Sequence, residues 1–85
     1  MLESVEGLKI INTIKKDEKY GRIILVFEKD FEGWPRIAET NLLNKKMNLE
    51  ELIGKTVTDI GMRIGEIDQV EDISPKKYLE LKKDN

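Results

Sequence analysis

Apolar residues recur at every second position over several short runs of this chain, a pattern of half-buried strands rather than of long helices. Leu8, Ile10 and Ile14 fall on one face of the first run, with Lys9, Thr13 and Lys15 on the other, which predicts a strand over residues 8–14. Asn12 interrupts the inward face and is expected near a strand end or beside a hydrogen-bonding partner. Residues 15–21 are charged and end in Gly21, the chemistry of a hairpin loop. Residues 22–29 follow as a central strand: Ile23, Leu25 and Phe27 share one face, and Ile24 and Val26 occupy the other. Their β-branched and aromatic content weighs against a helix. Residues 30–36 form a turn or loop, in which Gly33 supplies backbone freedom and Pro35 pushes Trp34 toward an extended conformation. Residues 37–43 fit either a strand or a short helix, with the strand preferred.

The second half begins with a helical turn over residues 48–54. Asn48 serves as its N-cap, Glu51 as the capping-box partner, and Gly54 suits the left-handed C-terminal position. Residues 55–60 and 62–70 read as two paired strands around Gly61. Ile64, Ile67 and Val70 recur every third residue, so a β-bulge near Gly65 is expected to bring all three to one side. Residues 72–77 make a turn, and residues 78–81 a last short strand with Leu79 and Leu81 inward. The ends, residues 1–6 and 82–85, are expected to fray. These elements predict one mainly β domain over residues 1–85: a small five- or six-stranded β-barrel with one helical turn, closed to remove its exposed edges. Its core is expected to contain Ile10, Ile23, Leu25, Phe27, Leu52, Val57, Ile64, Ile67, Val70 and Leu79.

Two resemblances point the same way. Leu52-Ile53-Gly54-Lys55, Val57, Asp59, Gly61, Ile64-Gly65, Ile67 and Asp68-Gln69-Val70 resemble the opening of a PRC-barrel domain. The order of a strand from Gly21-Arg22-Ile23 through Phe27, a hairpin, and a closing segment from Ser74-Pro75 through Leu81 is similar to that of the small barrel proteins of H/ACA ribonucleoprotein particles. Both resemblances imply a small β-barrel, and the second implies an RNA–protein setting.

Composition narrows the chemistry. Among 85 residues there is no cysteine and no histidine, which removes disulfides, thiolate nucleophiles, cysteine zinc sites and the usual general base. The formal charge of −2 arises from 15 basic and 17 acidic residues, so the basic excess of a general nucleic-acid binder is missing. The longest apolar run, Ile23-Ile24-Leu25-Val26-Phe27, is too short to span a bilayer, and the acidic start at residues 1–7 lacks a signal-peptide layout. A soluble, cytoplasmic protein is expected. Gly54-Lys55-Thr56 resembles the end of a phosphate-binding loop, but Leu49 stands where that motif needs glycine. The acidic positions Asp59, Glu66, Asp68, Glu71 and Asp72 have no calcium-loop spacing and read as a solvated face. No catalytic, metal or cofactor residues are expected.

The candidate binding residues are Phe31, Trp34, Arg36, Lys45, Lys46 and Arg63. Trp34 and Arg36 flank a rigid proline, and both residue types are enriched at binding hot spots. The competing expectation is that Phe31 and Trp34 fold back and cap a thin core. Lys45 and Lys46 are candidates to join Lys76 and Lys77 in a basic patch. The function expected from these observations is a non-enzymatic adaptor that binds a protein partner through a strand edge or the 31–36 loop. The alternatives are an RNA-, single-stranded-DNA- or ribonucleoprotein-associated barrel, which calls for aromatic and basic groups on one face, and a small-ligand-binding protein acting as a homodimer.

Overall fold

Four strands in sequence order make one open antiparallel sheet in the computed structural model, which describes residues 5–28, 33–44 and 46–83. They are β1 (Ile10–Asp17), β2 (Arg22–Phe27), β3 (Arg36–Asn41) and β4 (Asp68–Asp72). A 3-10 turn at Leu49–Leu52, helix α1 (Val57–Ile60), a 3-10 turn at Gly61–Arg63 and helix α2 (Pro75–Lys83) complete the described elements. The expected barrel is not present. β1 and β4 are the two edges of the sheet and do not pair with each other.

Closure fails because two of the expected strands are helices, each for a local reason. The Thr56 side chain accepts the Asp59 N–H at 3.3 Å, while the Asp59 carboxylate accepts the Thr56 N–H at 3.0 Å. This reciprocal capping box starts α1 where a hairpin strand was expected. Gly61, with φ of 46°, then ends the helix in a conformation that a side chain would resist. The second case is α2. Ser74 Oγ accepts the Lys77 N–H at 3.2 Å, and Pro75 takes the first helical position, where its missing N–H does no harm. Residues 78–81 are therefore helical; Tyr78 and Leu81 pack inward and Leu79 stands 57 % exposed, the reverse of the strand pattern for Leu79.

Core residues lie on both faces of the sheet. Ile10, Ile23, Leu25, Phe27 and Ala38 meet Val5, Leu42, Leu52, Ile60 and Ile64 on the first face. On the second, Ile14, Ile24, Val26 and Ile37 meet Ile73 and the inner side of α2. β2 is thus buried from both sides, as its continuous apolar run requires. Expected core residues Val57, Ile67 and Val70 are partly buried against the first cluster.

Three irregularities set the register, one of them a shift at Lys16 between the Lys15–Ile23 and Asp17–Arg22 pairs. Ile10 pairs with Phe27 and Asn12 with Val26, so Ile11 is an extra residue in β1. That bulge sends Ile10 and Ile14 to opposite cores, although strict alternation places them together. In β4, Asp68 pairs with Glu39 and Glu71 with Ile37, and Gln69 has φ of 53°. The expected bulge therefore lies at residues 69–70 rather than at Gly65. Thr40, fully buried on β3, places its hydroxyl 3.1 Å from the Gly65 carbonyl and 3.0 Å from that of Glu66, tying the 64–67 segment to the sheet.

Candidate functional site

An antiparallel ladder turns alternate residues of an edge strand away from their partner, exposing backbone donors and acceptors. On β1 the first outward position, Ile10, is already used. Its N–H donates to the Lys55 carbonyl at 2.9 Å, and its carbonyl accepts the Gly54 N–H at 2.7 Å. The 54–55 segment thus adds to the sheet edge for a single residue. Gly54, with φ of 85°, makes this approach by turning the chain sharply after the 3-10 turn. Past the bulge, alternation directs the amides of Thr13 and Lys15 outward. The Thr13 N–H donates to Asn12 Oδ1 at 2.9 Å, and Asn12 Nδ2 donates to the Tyr78 hydroxyl at 3.3 Å. Asn12 has therefore found the partner its position requires.

Where the 54–55 segment leaves β1, a groove of about 590 Å³ opens on the first face. Thr13, Lys15 and Asp17 form its β1 wall, and Asn48, Glu50 and Ile53 the opposite wall. Its interior is apolar: Ile23 and Leu42 are buried, and Met47 and Leu49 half-buried. Asn48 positions the far wall by accepting the Glu50 N–H at 3.0 Å, which starts the 3-10 turn. Leu52, fully buried, anchors that turn to the first core.

On the second face, the edge is bordered by α2. Tyr78 reaches Asn12, and Lys82 Nζ sits 5.3 Å from the centre of the Tyr78 ring. Further inboard, Arg22 bonds Glu39, Asn41 and Asp68, while Lys16 bonds Glu39 at 2.9 Å. Lys77 lies 3.7 Å from Glu71. Glu39, Asp68 and Glu71 of this face are therefore engaged by Lys16 of β1, by Arg22 and by Lys77.

The candidate residues read from the sequence divide between two ends of β3. Trp34 is 43 % exposed, directly before the buried Pro35. Arg36 grips Asp72 of β4 through Nε at 2.6 Å and Nη2 at 3.2 Å, with both side chains mostly buried. Its described role joins β3 to β4. Lys46 and Arg63 are exposed beyond the other end of β3, roughly 20 Å away at the rise of a strand. There the Arg63 carbonyl accepts the Leu43 N–H at 3.0 Å, and the Arg63 side chain borders a shallow depression with Met62 and Leu43. Phe31 and Lys45 lie outside the described residues. Lys46 follows β3 on the side of the first core, whereas Lys76 and Lys77 belong to α2 on the second, so these three do not form one patch.

The groove went unnoticed in the sequence because its walls come from residues far apart in the chain. The one usable signal was the pairing of an Asn48 cap with Gly54, which marks a short plug that must turn back on the sheet.

Among the described residues, the carboxyl group with a shifted titration is that of Asp59. Hydrogen bonding from the Thr56 backbone and side chain, helped by Lys55, holds the Asp59 carboxyl below its ordinary range, which reflects helix capping. Among the described residues, buried side-chain nitrogens and oxygens all have hydrogen-bond partners, and no three potential metal ligands cluster. No helix among them is long and apolar enough to cross a membrane. Comparison of the chain with protein-family models, curated proteins and solved structures finds no match.

Proposed function

We propose that this chain is a protein-interaction module that receives an extended segment of a partner along the open edge of β1. The observation that carries this reading is the single-residue edge addition at Ile10, which stops where the groove begins. A partner strand entering there continues the ladder that Lys55 starts, making main-chain hydrogen bonds at Lys15 and at the Thr13 carbonyl. Main-chain pairing supplies affinity without any reactive group, and the apolar groove interior supplies a place for side chains. Both edges carry irregularities and charges, at Ile11 and Lys16 on β1 and at Gln69 on β4; the apolar groove beside β1 is what favours that edge.

The test compares partners captured from cells by the wild-type chain and by a Lys15→Pro variant. Proline removes an outward N–H and is tolerated on an edge strand. The expected result is loss of a discrete partner with an unchanged circular dichroism spectrum. Retention of every partner by the folded variant refutes edge docking.

A further inference from the structure

Resting on that reading, we infer that the partner segment alternates apolar and acidic residues, the apolar ones entering the groove and the acidic ones facing α2. A strand sends successive side chains to opposite faces, so the two sides of the β1 edge select independently. On the groove side, an incoming side chain meets Met47, Leu49 and Ile53. These favour an apolar side chain in the interior of the groove, between walls that carry Lys15, Asp17, Asn48 and Glu50. On the α2 side it meets Asn12, the Tyr78 hydroxyl and the Lys82 ammonium group, all donors. Glu39, Asp68 and Glu71 of that side are paired with Lys16, Arg22 and Lys77, which leaves the Lys82 ammonium group beside Asn12 and Tyr78 to attract an acidic side chain. Lys15 pairs with Ile23 and so belongs to the groove face, where Glu18 engages it at 3.2 Å.

The same charges argue against a second copy as the occupant. β1 carries one acidic residue, Asp17, so a second copy paired through β1 offers little to Lys82, and its Lys15 and Lys16 are already engaged by Glu18 and Glu39. An acidic, alternating segment meets the opposite condition. The chain itself displays the geometry on a small scale, since the 54–55 segment joins β1 immediately beside the groove.

The experiment titrates the full chain with three short capped peptides while amide chemical shifts are followed by NMR. One peptide alternates leucine and glutamate, the second alternates leucine and lysine, and the third replaces leucine by serine in the first. The leucine–glutamate peptide is expected to shift the Thr13 and Lys15 amides and to bind about three- to tenfold more tightly than the lysine peptide. That preference shrinks with added salt and in Lys82→Glu, while Ile53→Ser weakens both leucine peptides about equally. Both substitutions are at exposed positions, so folding is retained and is checked by the unperturbed resonances of β2. Equal shifts from all three peptides leave edge docking standing and overturn the acidic–apolar preference. No shift at β1 from any peptide overturns both. Concentration-dependent dimerisation through β1, read by light scattering with no peptide present, assigns the edge to a second copy and overturns the inference.

Discussion

Replacing Thr40 by valine isolates the link between the sheet and the 64–67 segment. Thr40 is fully buried, and its hydroxyl shares one proton between the Gly65 and Glu66 carbonyls at 3.1 and 3.0 Å. Valine has nearly the same volume, so no cavity opens and the substitution acts on polarity alone. The net loss of one such hydrogen bond is about 0.5–1.5 kcal/mol. The new methyl group also meets two carbonyl oxygens closer than the ~3.3–3.6 Å that a carbon–oxygen contact takes, so the segment must shift. Because Glu66 is exposed, its carbonyl can turn to water, which limits the total to about 1–2 kcal/mol. In a chain of 85 residues this is a large share of a stability of about 4–13 kcal/mol. The melting temperature is expected to fall by roughly 5–15 °C. Urea unfolding followed by circular dichroism gives the free energy, with an unchanged slope expected. Hydrogen exchange supplies the local readout: the Gly65 amide, bonded to the Asn41 carbonyl at 2.8 Å, should exchange faster in Thr40→Val than in Thr40→Ser. Wild-type stability together with unaltered exchange at Gly65 would refute the argument.

Three further outcomes follow from the same geometry. Trp34→Ala should lower stability by about 1–2 kcal/mol, below the ~3–5 kcal/mol of a fully buried aromatic, because part of its side chain is already in solvent; a thermal melt showing the larger loss would make Trp34 a core cap. Arg36→Lys should lose about 1 kcal/mol by replacing a two-point grip on Asp72 with a single contact. A double-mutant cycle with Asp72→Asn tests this, since additive losses would deny the coupling. Asp59→Asn should flatten the acid limb of stability: the wild-type carboxyl is held below its unfolded value, so its contribution is present above about pH 4 and is lost as pH falls through the lower folded value. Identical acid-unfolding curves for the two proteins would remove Asp59 from that limb.

Much of the sheet was legible from the residues alone. The unbroken run at residues 23–27 identifies a strand buried on both faces, and β3 arises where strand was preferred over helix. Asn48 and Gly54 also behave as their residue types suggest. The errors share a cause: short apolar periods at residues 55–60 and 78–81 fit strand and helix equally, and capping chemistry decides between them. Thr56 with Asp59, and Ser74 with Pro75, were the overlooked signals. Barrel closure was then inferred from strands that do not exist. Which strand edge lies open is not legible in the sequence. It depends on which strands pair across long separations, and on the 54–55 segment stopping at Ile10. For the same reason Arg36, a hot-spot residue by type, pairs with Asp72, which lies far along the chain.

The extra residue in β1 has a consequence for how the molecule tolerates change in length. Ile10 already faces the first core, and Asn12 the side of Val26 and the second core, so removing Ile11 leaves every core residue on its proper side. Such a deletion should be nearly silent for folding, yet it would straighten an edge whose kink keeps neighbouring molecules from stacking strand on strand. A chain shortened by that one residue should keep its fold and pair more readily through β1 as its concentration rises, which light scattering would read.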